Sequence, residues 1–600
     1  MAYSSREEIE ERYTWDLTSM FASEEAFEAA LKAAQSLPEQ CAAFQGTVSA
    51  SAEGLLAFLR FDDEADITLS KLHNYASRKS DEDTRDSRWQ DLSNQTLSLY
   101  IAVSGASAWF TPELLSVDET KMAEFYAAKP ELELYRRALD RIFARREHTL
   151  SPAEEKLLAA AQEMTTQPGN IFSLMNDADL TFGPALDAQG IEHEVTHGSY
   201  IPLMMQPDRT LRESAFKQMY AQYGAFRNTF AATLGAQTKQ LQFFADARKY
   251  ESSLAYCLDG NEVPPSVYTN LIDAIHENLS ALHKYVKLRR SLLGVEKLHY
   301  WDLYVPVVPN AEMTFTYEEA CDLVLEALAP MGEEYLALVR RGLEERWVDV
   351  YETPGKRSGA YSAGGLGMHP VILLNFQGTL DDVYTLIHEM GHSIHTYLSC
   401  ETQPSCYSDY VIFVAEVAST VNEALLTQHL LAKAQDKCQR AYILNHFLEQ
   451  FRGTLYRQGM FAEFELQANE LTAQGASLTA DALCEAYEEL NRLYFGEGIE
   501  TDEEIALEWA RIPHFYYQYY VYQYATGYAA AIALSQRILN EGPSALADYL
   551  GFLKGGCSKP PIELLKGAGV DMTTPEPVNQ ALALFDSLVD EMAELVKELD

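Results

Sequence analysis

Two histidines four residues apart, in His388-Glu389-Met390-Gly391-His392, constrain this chain more than any other feature. On a helix such imidazoles stand one turn apart, about 6 Å along the axis, and can share one metal ion. In a strand the same spacing stretches to about 13 Å, too far for zinc bonds of about 2.0–2.1 Å. The flanking sequence GTLDDVYTLIHEMGHSIHTYL reads as helix. Thr379 can cap it, Asp381 and Asp382 suit its first turn, and Val383, Leu386, Ile387, Met390 and Ile394 recur with helical period. Gly391 costs such a helix about 1 kcal/mol relative to Ala. Its bare surface would admit another backbone or a substrate. The plain alternative is a buried helix with two hydrogen-bonded histidines.

The same pattern occurs earlier, as His193-Glu194-Val195-Thr196-His197. It lies within ADLTFGPALDAQGIEHEVTHGSYI, residues 178–201, whose β-branched residues, alternation and Gly-containing turn predict a β-hairpin. On a strand the two histidines are badly placed to chelate one ion, so this match is expected to be a decoy on a solvated strand face.

A catalytic zinc usually has three protein ligands and one open position. An extended H-E-x-x-H-x-x-G-x-x-H set is excluded, because His395 stands where it needs Gly and Leu398 where it needs His. His395 lies close to the face of His388 and His392 and is either a ligand or a packing residue. Downstream, FVAEVASTVNEALL reads as a second helix, with Glu416 and Glu423 two turns apart on one face. Either a carboxylate there or His395 can complete the set, and a second carboxylate can accept from a ligating imidazole.

Most of the remaining chain also has helical period: residues 24–36, 53–80, 84–108, 153–164, 266–293, 317–341 and 578–599. Thr210-Leu211-Arg212-Glu213 has capping-box form, with Thr210 as N-cap of a helical stretch towards Arg248. Residues 355–376 read as a Gly-rich loop followed by a strand, Val371–Phe376. The end of the hairpin predicts a boundary near residue 200, with a helical N-terminal domain at 1–200 and a larger domain at 201–600.

Formal net charge is −43, with 46 Lys and Arg against 89 Asp and Glu. Such a balance argues against nucleic acid and anionic membrane surfaces as partners, since both need clustered cations. The eight cysteines form no C-x-x-C pair, and no apolar leader or run of about 18 apolar residues is seen. The expected setting is the cytoplasm, and the oligomeric state is open.

Residues 509–528, WARIPHFYYQYYVYQYATGY, hold seven tyrosines between Tyr516 and Tyr528. Buried phenols need hydrogen-bond partners, and so many would need many. The segment is either an aromatic helix buried all round or a cleft wall with hydroxyls aimed at a polar substrate. Tyr519 and Tyr522 are three apart, so on a helix they face one way.

HEMGH, FVAEVASTVNE and WARIPHFYYQYYVYQYATG, in this order, resemble the oligoendopeptidase F branch of the thimet-type (M3) zinc oligopeptidases. GKRSGAYSAGG followed by HPVILLNFQGTLDDVYTLIHEMGH resembles it too, and the similar region runs over roughly residues 205–585. The resemblance implies a mainly α fold of two helical lobes flanking a deep substrate channel, with a minor β-hairpin and a short sheet. It implies one zinc per chain, held by His388, His392 and Glu416, with Glu389 as general base and Glu423 supporting a ligand. It also implies that His514, Tyr519 and Tyr522 position substrate and transition state.

The expected activity is hydrolysis of internal bonds in short, unstructured peptides. The Val371–Phe376 strand, or the loop before it, is expected to pair with extended substrate, with Gly359 and Tyr361 as contacts. The glycines Gly359, Gly364, Gly365 and Gly367 make that loop either a mobile gate or a plain surface loop. The alternatives are a zinc exopeptidase, with Lys356 or Arg357 capturing a terminal carboxylate, and a helical peptide-binding protein without catalysis. If the first H-E-x-x-H is a decoy, His193→Ala and His197→Ala leave metal content unchanged; loss of stoichiometric metal by elemental analysis would overturn that reading.

Overall fold

The computed structural model describes residues 3–308 and 313–598, and it is mainly α-helical with two small sheets. The periodic segments fold as helices, with ends set by local chemistry. Ser23, Ser51 and Asp86 cap the helices Glu24–Ala34, Ala52–Glu82 and Ser87–Ala106 by accepting from backbone N–H groups. Two long expectations break where the backbone must turn. Residues 266–293 become Pro265–Glu277 and Leu279–Leu292, separated at Asn278. Residues 317–341 become Tyr317–Ala327 and Gly332–Glu344, separated by the short 3₁₀ turn Ala329–Met331. There Pro330 lacks an N–H to continue the ladder, and Gly332 takes φ +75°.

Thr210 is not an N-cap. Asp208 takes that place, accepting from the N–H groups of Thr210 and Leu211, and the helical stretch divides into Arg209–Ala225 and Arg227–Ala247. The Asp208 carboxylate starts the helix two residues earlier, taking the Thr210 and Leu211 donors where a Thr210 cap would have taken those of Arg212 and Glu213.

The expected hairpin is much smaller than residues 178–201. Only β1 (Ala185–Leu186) and β2 (Glu192–His193) pair, antiparallel, with Ala185 opposite His193. Thr196 and Ser199 then form a capping box that starts the helix His197–Met204, so the chain leaves the strand before the second histidine.

The second sheet orders its strands β3–β5–β4, from β3 (Val348–Asp349), β4 (Tyr361–Gly365) and β5 (Met368–Leu373). Strand β5 is central, parallel to β3 and antiparallel to β4. The expected strand therefore lies three residues earlier than Val371–Phe376, although Leu374 and Phe376 still donate to the Asp349 and Val350 carbonyls. Much of the expected Gly-rich loop is strand β4, because Ser362 and Ala363 pair in register with Ile372 and Val371. A Cβ on Gly364 would stand 3.1 Å from the Pro370 Cα, so the close strand contact asks for glycine.

The chain forms two compact units, each made of separate stretches. One comprises Met1–Pro152, Met313–His429 and Leu534–Gly569; the other comprises Ala153–Glu312, Leu430–Ala533 and Val570–Asp600. In the first unit, Phe27, Leu72, Tyr75 and Trp89 form a core with Val371 and Leu373 of β5. In the second, Asp302 is fully buried and paired with Arg209 and Arg212 at 2.8 Å each. Among the described residues no helix is long and apolar enough to cross a membrane.

Lys356 lies in the first unit's interior. Its Nζ pairs with Asp349 Oδ1 at 2.7 Å and donates to the Asp349 and Tyr351 carbonyls, while Arg6 pairs with the other Asp349 oxygen. That ammonium is committed to the fold and is no anchor for a substrate carboxylate. Removing one partner of a buried pair costs about 3–5 kcal/mol. Lys356→Met should lower stability by about 3 kcal/mol in urea unfolding, the low end because Arg6 still pairs with Asp349.

Candidate metal centre

The helix Leu380–Thr402 opens with a capping box: Thr379 Oγ1 accepts from Asp382 N (3.2 Å) and the Asp382 carboxylate accepts from Thr379 N (2.8 Å). Val383, Leu386, Ile387, Met390 and Ile394 are buried as their spacing predicts. His388 and His392 share one edge of this helix. The helix Ile412–Lys433 crosses it at Gly391, where an added Cβ would stand 2.6 Å from the Ser419 Cα and 2.9 Å from the Ala418 carbonyl oxygen. The bare surface of Gly391 thus receives another backbone. Asn422 ties the crossing further by donating to the Ile387 carbonyl, and Tyr335 donates to the Asn422 side chain.

That crossing brings Glu416 to the histidines. His388 Nε2 and His392 Nε2 are 3.1 Å apart, and Glu416 Oε2 lies 3.3 Å and 3.4 Å from them. Tetrahedral bonds of about 2.0–2.1 Å hold neighbouring donors about 3.3 Å apart, so this triangle has the size a zinc ion needs. It is the one cluster of three such donors found among the described residues. The side chains are 25%, 17% and 39% exposed, which leaves one side of the triangle open to a further ligand. Glu423 Oε1 accepts from His388 Nδ1–H, which turns His388 Nε2 towards the triangle as an acceptor. Ser419 Oγ, fully buried, lies 3.2 Å from Glu416 Oε2 and steadies that carboxylate.

The charges ask for a cation. Three carboxylates, Glu389, Glu416 and Glu423, surround two imidazoles. Burial pushes the His388 imidazole down, but hydrogen bonds to Glu416 and Glu423 outweigh it and hold its pKa at about 10. Burial likewise pushes Glu416 up, yet the two histidines carry it well below the carboxylate range. A proton on His388 thus fills the role of a cation, and a divalent ion would displace it. Glu389 is different: burial raises its carboxyl, the histidines only partly oppose this, and the Ser362 N–H of β4 donates to it.

The other histidines have separate commitments. His193 Nε2 bonds Asp187 at 3.0 Å, while His197 Nε2 bonds the Asn176 carbonyl at 2.8 Å. His395 is buried and stacked on Tyr410 at 3.8 Å, and burial lowers its pKa to about 3, so it packs as a neutral ring.

The aromatic segment departs from the expected helix. Pro513–Tyr516 is a 3₁₀ turn, Gln518 and Tyr519 have φ of +59° and +58°, and the helix Tyr522–Glu541 begins only at Tyr522. Half-buried His514 is ringed by Tyr517, Tyr520 and Tyr524 at 5.5, 6.2 and 5.9 Å. Tyr519 and Tyr522 are buried instead, packed against Tyr268 at 5.5 and 5.0 Å. The pair named by resemblance, Tyr519 and Tyr522, would share a face on a helix, but the left-handed turn places Tyr517 and Tyr520 beside Tyr524 at His514. All these residues belong to the second compact unit, and the donor triangle to the first. Tyr361, on β4, donates to Asp81 at 2.5 Å, and the exposed Arg357 pairs with the same carboxylate at 3.3 Å. Gly359, at φ +82°, is exposed, and its carbonyl accepts from Asn375. Residues that sequence reading passed over are Ser419 and Asn422, small polar side chains whose roles depend on the crossing, and Tyr517 and Tyr520.

Residues 202–584 match the model of Peptidase family M3, and residues 113–182 match that of Oligopeptidase F. The chain is 46% identical to oligopeptidase PepF of Bacillus subtilis, over 99% of this chain and 89% of that protein. It is 41% identical to the group B oligopeptidase PepB of Streptococcus agalactiae, over 99% and 98%. The crystal structure of oligoendopeptidase-F from Enterococcus faecium superposes with a TM-score of 0.74 at 38% identity, covering 96% of this chain and 99% of that one.

Because Gly391 touches backbone rather than a flexible side chain, Gly391→Ala must push the two helices apart. Overpacking of this kind costs about 1–3 kcal/mol. The variant is expected to melt earlier and to hold less than stoichiometric metal, read by thermal unfolding and elemental analysis.

Proposed function

The chain belongs to peptidase family M3, as a zinc oligopeptidase of the oligopeptidase F branch, and from that premise we propose how its own residues hydrolyse a peptide bond. His388, His392 and Glu416 hold one zinc per chain; the observation that carries this is their donor triangle of 3.1, 3.3 and 3.4 Å. Zinc held there would supply Lewis acidity to the scissile carbonyl and would acidify a water to a pKa of about 7. Glu423 keeps His388 in the tautomer whose Nε2 is free to ligate.

Glu389 is the general base. Burial raises its carboxyl above the ordinary range, and it sits on the histidine helix, which suits it to take the proton of the attacking water and return it to the leaving amine. His514, whose pKa burial lowers, is a neutral imidazole that donates a hydrogen bond to the developing oxyanion. Tyr517 and Tyr520 flank its ring and reach solvent, which supports them as partners in that task. Tyr519 and Tyr522, the pair assigned by resemblance, are covered by Tyr268 and act on substrate only after segment 513–521 rearranges.

Extended substrate pairs with β4, the edge strand, near Gly359 and Tyr361, and not with β5, which has neighbours on both sides. The family match over 202–584 supports residues 201–600 as the catalytic domain and 1–200 as the N-terminal helical domain. The oligopeptidase relatives support short unstructured peptides as substrates, and the proposed setting is the cytoplasm.

Glu389→Gln is expected to keep zinc and to lose about 10²–10⁴ of turnover. An internally quenched peptide blocked at both ends measures this, and mass spectrometry of the products should find internal cleavage. Turnover at the wild-type rate would sink the base assignment, and release of terminal residues alone would favour an exopeptidase.

A further inference from the structure

The turn between His514 and the helix Tyr522–Glu541 is held in an unfavourable backbone form. Five non-glycine residues among those described have positive φ, and Gln518 and Tyr519 are the one adjacent pair. L-residues avoid this region because Cβ crowds the following carbonyl oxygen. Such strain persists only where the surroundings over-determine it.

Tyr519 is held through its ring by Tyr268 and through its hydroxyl by Ser253, and one buried side chain reaches the backbone of the turn itself. Glu465, on the helix Arg457–Ala473, is 3% exposed, and its Oε1 accepts from the Tyr519 N–H at 2.7 Å. Its Oε2 has no hydrogen-bond partner among the described residues. The titratable groups facing this region are Cys257, Tyr268, Tyr519 and Tyr522, with Glu470 acting on Tyr519, and none is a cation. A buried carboxyl with one backbone bond and no counter-charge is costly. It coincides with a costly turn, four residues after His514.

We propose that Glu465 is a positioning residue: it clamps the Tyr519 N–H, keeps the Gln518–Tyr519 turn left-handed, and so sets where His514, Tyr517 and Tyr520 stand. The clamp rests on the reading of His514 as an oxyanion donor. Burial pushes the Glu465 carboxyl up to about 8, in keeping with a neutral acid whose Oε1 remains an acceptor. Glutamine reproduces that acceptor and leucine does not. The sign of the linkage follows. Between the ordinary carboxyl value of 4.5 and about 8 the folded protein binds the extra proton, so this group's contribution to stability falls as pH rises through that window.

The test uses the full-length zinc-loaded enzyme and a quenched internal peptide. Glu465→Leu should lower kcat by about 10²-fold, the scale of a small misplacement at the reacting centre. Its KM should stay within about threefold, since a contact made only in the transition state is lost. Zinc content should not change, and chymotrypsin should nick faster after the exposed Tyr517. Glu465→Gln should keep wild-type kcat and nicking, and its melting temperature should gain on the wild type from pH 5 to pH 8. Gln518→Pro, at an exposed position, cannot adopt positive φ and should show the same kcat loss without touching the core. Wild-type kcat in Glu465→Leu or in Gln518→Pro, or a Glu465→Gln variant as defective as Glu465→Leu, would overturn the clamp. If His514→Ala retains full turnover, the oxyanion reading fails instead, and unchanged nicking in Glu465→Leu would still refute the clamp itself.

Discussion

The crossing of two helices at Gly391 is the contact on which the metal centre depends. A single missing Cβ lets the Ala418–Ser419 backbone approach the His388 helix at van der Waals range. At that separation Glu416 reaches both imidazoles and Glu423 reaches the far side of His388. One helix carries two of the clustered donors and Glu389; the other carries the third donor and the carboxylate that accepts from His388 Nδ1–H. Neither helix carries a complete site. The glycine's cost to its own helix is offset by the packing and by the ion the crossing can hold.

Buried polar groups are arranged by purpose. Structural charges are paired: Lys356 with Asp349, and Arg209 and Arg212 with Asp302. At the centre the balance is left uneven, with three carboxylates to two imidazoles, a deficit that a divalent cation would fill. Glu389, beside them, is buried and bonded to the β4 backbone, so its proton affinity rises instead of falling. Adjacent carboxylates on neighbouring helices, Glu389 and Glu416, thus receive opposite shifts.

Some of this architecture could be read residue by residue. The helices at 24–34, 52–82 and 87–106 follow from apolar period and a capping side chain, both local. The reading failed where distant contacts took over. His197 leaves the strand because Thr196 and Ser199 close a capping box; Asp208 displaces Thr210 as a cap; strand β4 forms because β5 lies beside it. Tyr519 and Tyr522 do not face one way along a helix, because Gln518 and Tyr519 make a left-handed turn and the helix begins only at Tyr522. Compact grouping also departs from chain order, since residues 1–152 pack in one unit with 313–429 and 534–569.

By itself the sequence determined the donor types, the helix that spaces His388 and His392, and the family, because these rest on residue identity and on a period of 3.6. Only the tertiary structure decided how closely Glu416 meets the two imidazoles, which backbone Gly391 receives, and which tyrosines stand at His514. Those depend on how close two backbones approach and on the hand of one turn, and both are set by residues far apart in the chain.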